Sequence, residues 1–154
     1  METTGLIVAA MVLLLGVAAG WWRRRTDGRL RTTATERGTV PGGEEGERIE
    51  DGLLAELGVG PADATLLQFS TAFCAPCRAL RRVSSEVAEL LPGVRHVEVD
   101  AESHLDAVRA LGIWRTPTLL VLDGRGRVVK RASGVPSKPQ LISVLGDLLP
   151  PAAT

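Results

Sequence analysis

The sequence predicts an α/β domain, a central mixed sheet with helices on both faces, preceded by one membrane-spanning helix. Three observations predict this. A charge-free apolar run opens the chain, helix-like and strand-like stretches alternate from Arg48 onward, and an Asp-Gly turn joins two late strand-like runs. At 154 residues the chain has room for one ordinary domain plus extra segments.

The apolar run is GLIVAAMVLLLGVAAGWW, 18 residues from Gly5 to Trp22. As a helix it is roughly 27 Å long, close to the ~30 Å hydrocarbon core of a bilayer. It is apolar all round, whereas core helices of soluble domains carry a polar face. Trp21 and Trp22 fall where interfacial aromatics belong, and Arg23, Arg24 and Arg25 follow at once. A cleaved signal peptide would carry positive charge ahead of the run, where this chain has Glu2. The arginines predict an N-terminus outside and everything after Arg23 in the cytoplasm. Residues 23–47 read as a basic, Gly-rich flexible linker, too poor in apolar residues to build a face. The folded domain then occupies residues 48–150.

Ile49, Leu53 and Leu57 recur at helical spacing, and Gly58 follows as a stop. ATLLQFS (64–70) is a buried strand, and Cys77 to Leu91 a helix ended by Pro92 and Gly93. VRHVEVD (94–100) is a second strand, and Glu102 to Leu111 a short helix closed by Gly112. PTLLVLD and RVVKRA form a hairpin through DGRG. Leu141, Val144, Leu145 and Leu148 mark the last helix. The order is α-β-α-β-α-β-β-α.

Acidic and basic residues balance at 18 each and aromatics make up 3%, so nothing points to nucleic acid. The only two cysteines, Cys74 and Cys77, share the stretch STAFCAPCRAL. A strand ends near Ser70 and a helix begins around Cys74, so the first thiol faces unpaired N–H groups and the positive end of the helix dipole. Such a position can lower a cysteine pKa to between roughly 3.5 and 7.5. Pro76 suits the first turn, and the helix holds Cys77 one turn behind Cys74. That arrangement favours thiol–disulfide exchange. Three duller readings stand beside it. A structural disulfide would close a tiny loop, a metal site lacks two ligands, and free cysteines are common in cores. His96, on a strand, and His104, on a short helix, lack metal-ligand spacing and read as surface residues.

LLQFSTAFCAPCRAL resembles the active-site stretch of the thioredoxin family, and LGIWRTPTLLVLDGRGRVV resembles the family's second signature. The resemblance covers roughly Arg48 to Leu149. It implies that Cys74 attacks, that Cys77 resolves, and that the two form the redox-active disulfide. It implies that Pro117 is a cis-proline facing them and that the Thr116 backbone pairs with an extended substrate. Phe73, Ala75, Pro76 and Gly134 would border the docking groove, Gly134 being equally readable as a turn glycine. Trp114 is either core or docking surface.

The chain departs from the family's pattern at four positions. Phe73 stands where a tryptophan is usual and Ala75 where glycine is common. Gln68 replaces the buried aspartate thought to relay the resolving thiol's proton, and Glu98 takes the place of its lysine partner. If Glu98 reaches beneath Cys77, burial raises its pKa and poises it as a base; otherwise it points to solvent. The resemblance implies no cofactor and no metal. It implies a monomeric oxidoreductase that reduces protein disulfides, recharged by a reductase or a low-molecular-weight thiol; the apolar run separately puts residues 5–22 in the membrane. Two other readings remain: an outward-facing protein of envelope disulfide or cytochrome maturation, and a non-catalytic thioredoxin-fold adaptor. The 39-residue spacing from Cys77 to Thr116 leaves no room for the insertion common in the outward-facing type.

Overall fold

The computed structural model describes residues 2–26, 28–32 and 47–150. Its elements run α1 (Glu2–Thr26), β1 (Arg31–Thr32), α2 (Asp51–Glu56), β2 (Ala64–Ser70), α3 (Ala75–Leu90), β3 (Val94–Asp100), α4 (Leu105–Ala110), β4 (Thr118–Asp123), β5 (Val128–Ser133) and α5 (Lys138–Gly146). From α2 onward this is the alternation expected. The sheet order is β1-β5-β4-β2-β3, with β2 and β3 parallel and the other neighbours antiparallel.

Period-two alternation divides the two central strands between two cores. Leu67 and Phe69 of β2, with Leu120 and Leu122 of β4, pack under α2 and α4 beside Leu54, Ala107 and Leu111. Ala64 and Leu66, with Leu119 and Val121, pack under α3 and α5 beside Leu80, Val87, Leu141 and Leu145. Each large apolar side chain so buried contributes about 1.5–3 kcal/mol. The next α3-facing position on β2 after Leu66 is Gln68, fully buried, and a polar seam therefore enters the core under α3.

Three local differences from the sequence reading have physical causes. Helix α3 starts at Ala75, two residues earlier than Cys77, because Cys74 is its N-cap. Helix α4 starts at Leu105 rather than Glu102. The Asp100 carboxylate accepts from the Glu102 N–H and the Ser103 hydroxyl, which holds that stretch in a turn. Gly28 to Thr32, expected within the linker, lie along the sheet edge. Gly28 N–H donates to Ser133 O at 2.7 Å, Arg31 and Thr32 pair with Arg131 and Lys130, and Leu30 packs on the α3–α5 core. Gly28 has φ +83°, and a Cβ there would sit 2.3 Å from Val135 O, so only glycine fits. The rest of that linker, 33–46, lies outside the described residues, as does residue 27.

Residues 5–22, expected to span a membrane, are helical within α1, which continues to Thr26. Its described side chains, 7–22, are all exposed. Among the described residues no helix is long and apolar enough to cross a membrane.

Candidate active site

Strand β2 delivers the chain to Ser70, and Cys74 caps α3 with extended backbone, φ −99° and ψ 101°. The first N–H groups of a helix have no internal partner, and here the Cys77 N–H donates to Cys74 Sγ at 3.2 Å. Pro76 occupies the first turn, where a missing N–H leaves nothing unsatisfied. Cys74 and Cys77 form a disulfide with Sγ–Sγ 2.07 Å and Cα–Cα 5.2 Å. The two sulfurs are not equivalent in access. Cys77 is buried on the inner face of α3, and Cys74 is partly exposed. An incoming thiol or disulfide therefore meets Cys74 first.

The rim comes from two other loops. The Thr116–Pro117 peptide bond is cis. The Thr116 and Thr71 hydroxyls lie 3.2 Å apart, tying that loop to the turn before Cys74. Gly134 N–H donates to Pro117 O at 2.9 Å, and its φ of +97° suits glycine. Ala75 and Pro76 are exposed, Phe73 is fully so, and Trp114 is 94% exposed. Of the two readings of Trp114, core packing is excluded. Phe73, next to Cys74 in the chain, and Trp114, three residues before Pro117, are thus both uncovered aromatic side chains.

Beneath the disulfide lies the seam. Parallel pairing sets Leu66 opposite His96 and Gln68 opposite Glu98, while Cys77, Arg81 and Ser85 share one face of α3 at four-residue spacing. Gln68 Nε2 lies 2.7 Å from Ser70 Oγ, 3.0 Å from Cys77 O and 3.2 Å from Glu98 Oε1. A carbonyl only accepts, so the amide nitrogen faces Cys77 and Gln68 Oε1 faces away. His96 Nε2 approaches that oxygen at 3.1 Å and must carry the proton, leaving Nδ1 to accept from the Ser85 hydroxyl at 3.2 Å. His96 is thus half-buried and hydrogen-bonded at both nitrogens, not the surface residue expected. Burial depresses its pKa, the nearby Arg81 charge acts the same way, and Glu98 opposes them. Sequence reasoning missed it because only the β2–β3 register reveals what His96 faces.

Glu98 does reach this space, but its expected raised pKa is corrected by the structure. Burial pushes the carboxyl up. Hydrogen bonds from Arg81 and Ser70, and the charges of Arg81 and His96, outweigh it and hold the group below the ordinary carboxylate value. Arg81 grips both oxygens, Nη2 donating to Oε1 at 2.9 Å and Nε to Oε2. An acid so depressed is a poor base at neutral pH. A folded-state pKa below the unfolded one means stability present above the ordinary carboxylate range and lost as pH falls through the folded value. Arg81→Met is expected to move the Glu98 titration upward, read by NMR of its side-chain carboxyl carbon. An unmoved titration would show that Arg81 is not what holds it down.

A buried thiol one turn behind an accessible one, joined as a disulfide at a helix N-terminus, with a cis-proline in the loop tied to the turn before it, defines a thiol–disulfide oxidoreductase. The thioredoxin family model matches residues 56–147, and the chain belongs to the thioredoxin family. It is 34% identical over 85 residues to a thioredoxin of Alicyclobacillus acidocaldarius, covering 54% of this chain and 80% of that one. A thioredoxin of Chlamydia trachomatis is 30% identical over 80 residues, covering 52% and 78%. Among solved structures, a mutant thioredoxin from Halobacterium salinarum superposes with a TM-score of 0.56 at 22% identity, covering 68% of this chain and 91% of that one. Mitochondrial thioredoxin 3 from Saccharomyces cerevisiae gives 0.53 at 20% identity, covering 62% and 90%. These structures share its fold.

Proposed function

We propose that this protein is a membrane-tethered reductant of protein disulfides, with its catalytic domain on the cytoplasmic side. The observation that carries the exchange chemistry is the Cys74–Cys77 disulfide at the N-terminus of α3, with only Cys74 accessible. In the reduced protein the Cys74 thiolate attacks a substrate disulfide and expels one substrate thiolate. The Cys77 thiolate then attacks Cys74 Sγ, releasing the second substrate thiol and restoring the disulfide. Two electrons pass to the substrate, and a thiol reductase or low-molecular-weight thiol returns them. Pro117, the Thr116 backbone and Gly134 hold the extended substrate, with Phe73, Ala75, Pro76 and Trp114 as its apolar bed. Glu98 contributes as the fixed anion of the seam, clamped by Arg81. Tethering rests on the charge-free run Gly5–Trp22 and its flanking tryptophans and arginines.

The full-length protein is expected to accelerate insulin reduction by dithiothreitol and to stay with membranes after alkaline carbonate washing. No acceleration would overturn the catalytic reading, and release by carbonate the tether. An impermeant alkylating reagent is expected to reach the reduced cysteines only after the membrane is opened. Labelling from outside would reverse the orientation.

A further inference from the structure

The chain enters the domain at one particular end of the sheet. Strand β1 runs antiparallel to β5, with Arg31 opposite Arg131 and Thr32 opposite Lys130, so Gly28 lies at the Ser133 end. Ser133 pairs with Thr118, the residue after the cis-proline, and Gly134 is bonded to Pro117 itself. The same end of the sheet carries Ser70 and the turn into Cys74. Segment 28–32 is therefore a strap laid on the edge strand, starting beside the active-site loops and leading away from them. Gly28 is locked there by its positive φ and by the closeness of Val135 O, and Leu30 is seated on the core.

Helix α1 ends at Thr26, so its last Cα lies within about 7 Å of Gly28. Between Trp22 and Thr26 the helix rises about 6 Å more. The Trp22 end of the apolar part of α1 consequently lies close to the active-site end of the domain and far from the β4–β5 turn. That end also displays Phe73 and Trp114 uncovered, aromatic side chains of the kind enriched at membrane interfaces and at protein contacts.

This inference rests on the membrane tether proposed above. We propose that the strap holds the domain with its disulfide towards the bilayer, so that its substrates are disulfides of membrane proteins lying close to the lipid surface. A flexible tether would let the domain sample disulfides at many heights. A docked strap confines Cys74 to a shallow layer and raises its effective concentration there.

The test uses the full-length protein, pre-reduced, in phosphatidylcholine–phosphatidylglycerol vesicles. The probe is one disulfide-bridged peptide fused to a transmembrane helix through a Gly/Ser spacer of either about 5 or about 60 residues. In single turnover the short-spacer disulfide is expected to be reduced at least about tenfold faster. Gly28→Val, which unseats the strap, and a Gly/Ser insertion of about 10 residues after Asp27 are each expected to remove that preference. Both variants should retain the unmodified protein's rate on soluble insulin. Equal rates on the two spacers, or a preference that survives both variants, would overturn the inference. Flotation of the vesicles separates the two failures. Protein that does not float removes the tether and this inference with it, whereas protein that floats without a preference removes this inference alone.

Discussion

Cys74→Ser is expected to lower the insulin-reduction rate by more than about a thousandfold, because the residue forming the covalent intermediate is gone. Cys77→Ser should behave differently. Its Cys74 still attacks from the helix N-terminus, but nothing beneath it resolves the adduct, so disulfide-linked complexes with substrate proteins accumulate. They should run as reducible high-mass bands in a non-reducing gel after acid quenching. The asymmetry follows from access, since Cys77 is buried and Cys74 is not. Full multiple-turnover activity in Cys77→Ser, or adducts formed by Cys74→Ser instead, would overturn the assignment of roles. In both variants the fold should persist, because the pair closes a loop too short to constrain the unfolded chain much.

Gln68→Leu carries the second large effect, on stability. The side chain is fully buried and its amide joins Cys77 O, Ser70, Glu98 and His96. Leucine of similar size leaves the half-buried His96 N–H without its acceptor and removes the amide bond to the Cys77 carbonyl, which keeps only its helical partner. At about 1–3 kcal/mol for each buried group stranded, a loss of roughly 3 kcal/mol is expected in urea unfolding. Gln68→Glu is the informative companion. It keeps the shape but sets a second carboxyl beside Glu98 and against the Cys77 carbonyl. Burial and the like charge raise its folded-state pKa above the unfolded one. Its stabilising contribution is then complete below the ordinary carboxylate range and is lost as pH rises through the folded value. Measured against the unsubstituted protein, Gln68→Glu should be nearly neutral near pH 3 and destabilising near pH 7, values bracketing the ordinary carboxylate range. A pH-independent difference would mean that the amide does not face these acceptors.

The seam also shows how far the sequence reading reached. ATLLQFS and VRHVEVD announce strands through their β-branched and apolar content, and their burial follows from that alone. Gln68 and Glu98 were recognisable as odd members of a family pattern, since a polar residue inside a buried strand stands out. His96 did not stand out. Its meaning depends on β2 and β3 pairing with Leu66 opposite it, and on α3 bringing Ser85 down from eleven residues upstream. Glu98 was misjudged for the same reason. Burial was foreseeable from its strand, but Arg81, seventeen residues earlier and on another element, decides the sign of its shift.

The strap was missed on other grounds. Arg31 and Thr32 form a two-residue strand, too short for any period to show, and Gly28 looks like an ordinary linker glycine until Val135 is placed against it. By itself the sequence determined what short-range chemistry can determine. It set which stretches are helix or strand, that the two cysteines sit one turn apart at a helix start, and that a proline opens β4. Only the tertiary structure decided what His96 faces, which charges meet beneath the disulfide, and at which end of the sheet the N-terminal helix joins. Those properties belong to pairs of residues far apart in the chain, and packing alone chooses the pairs.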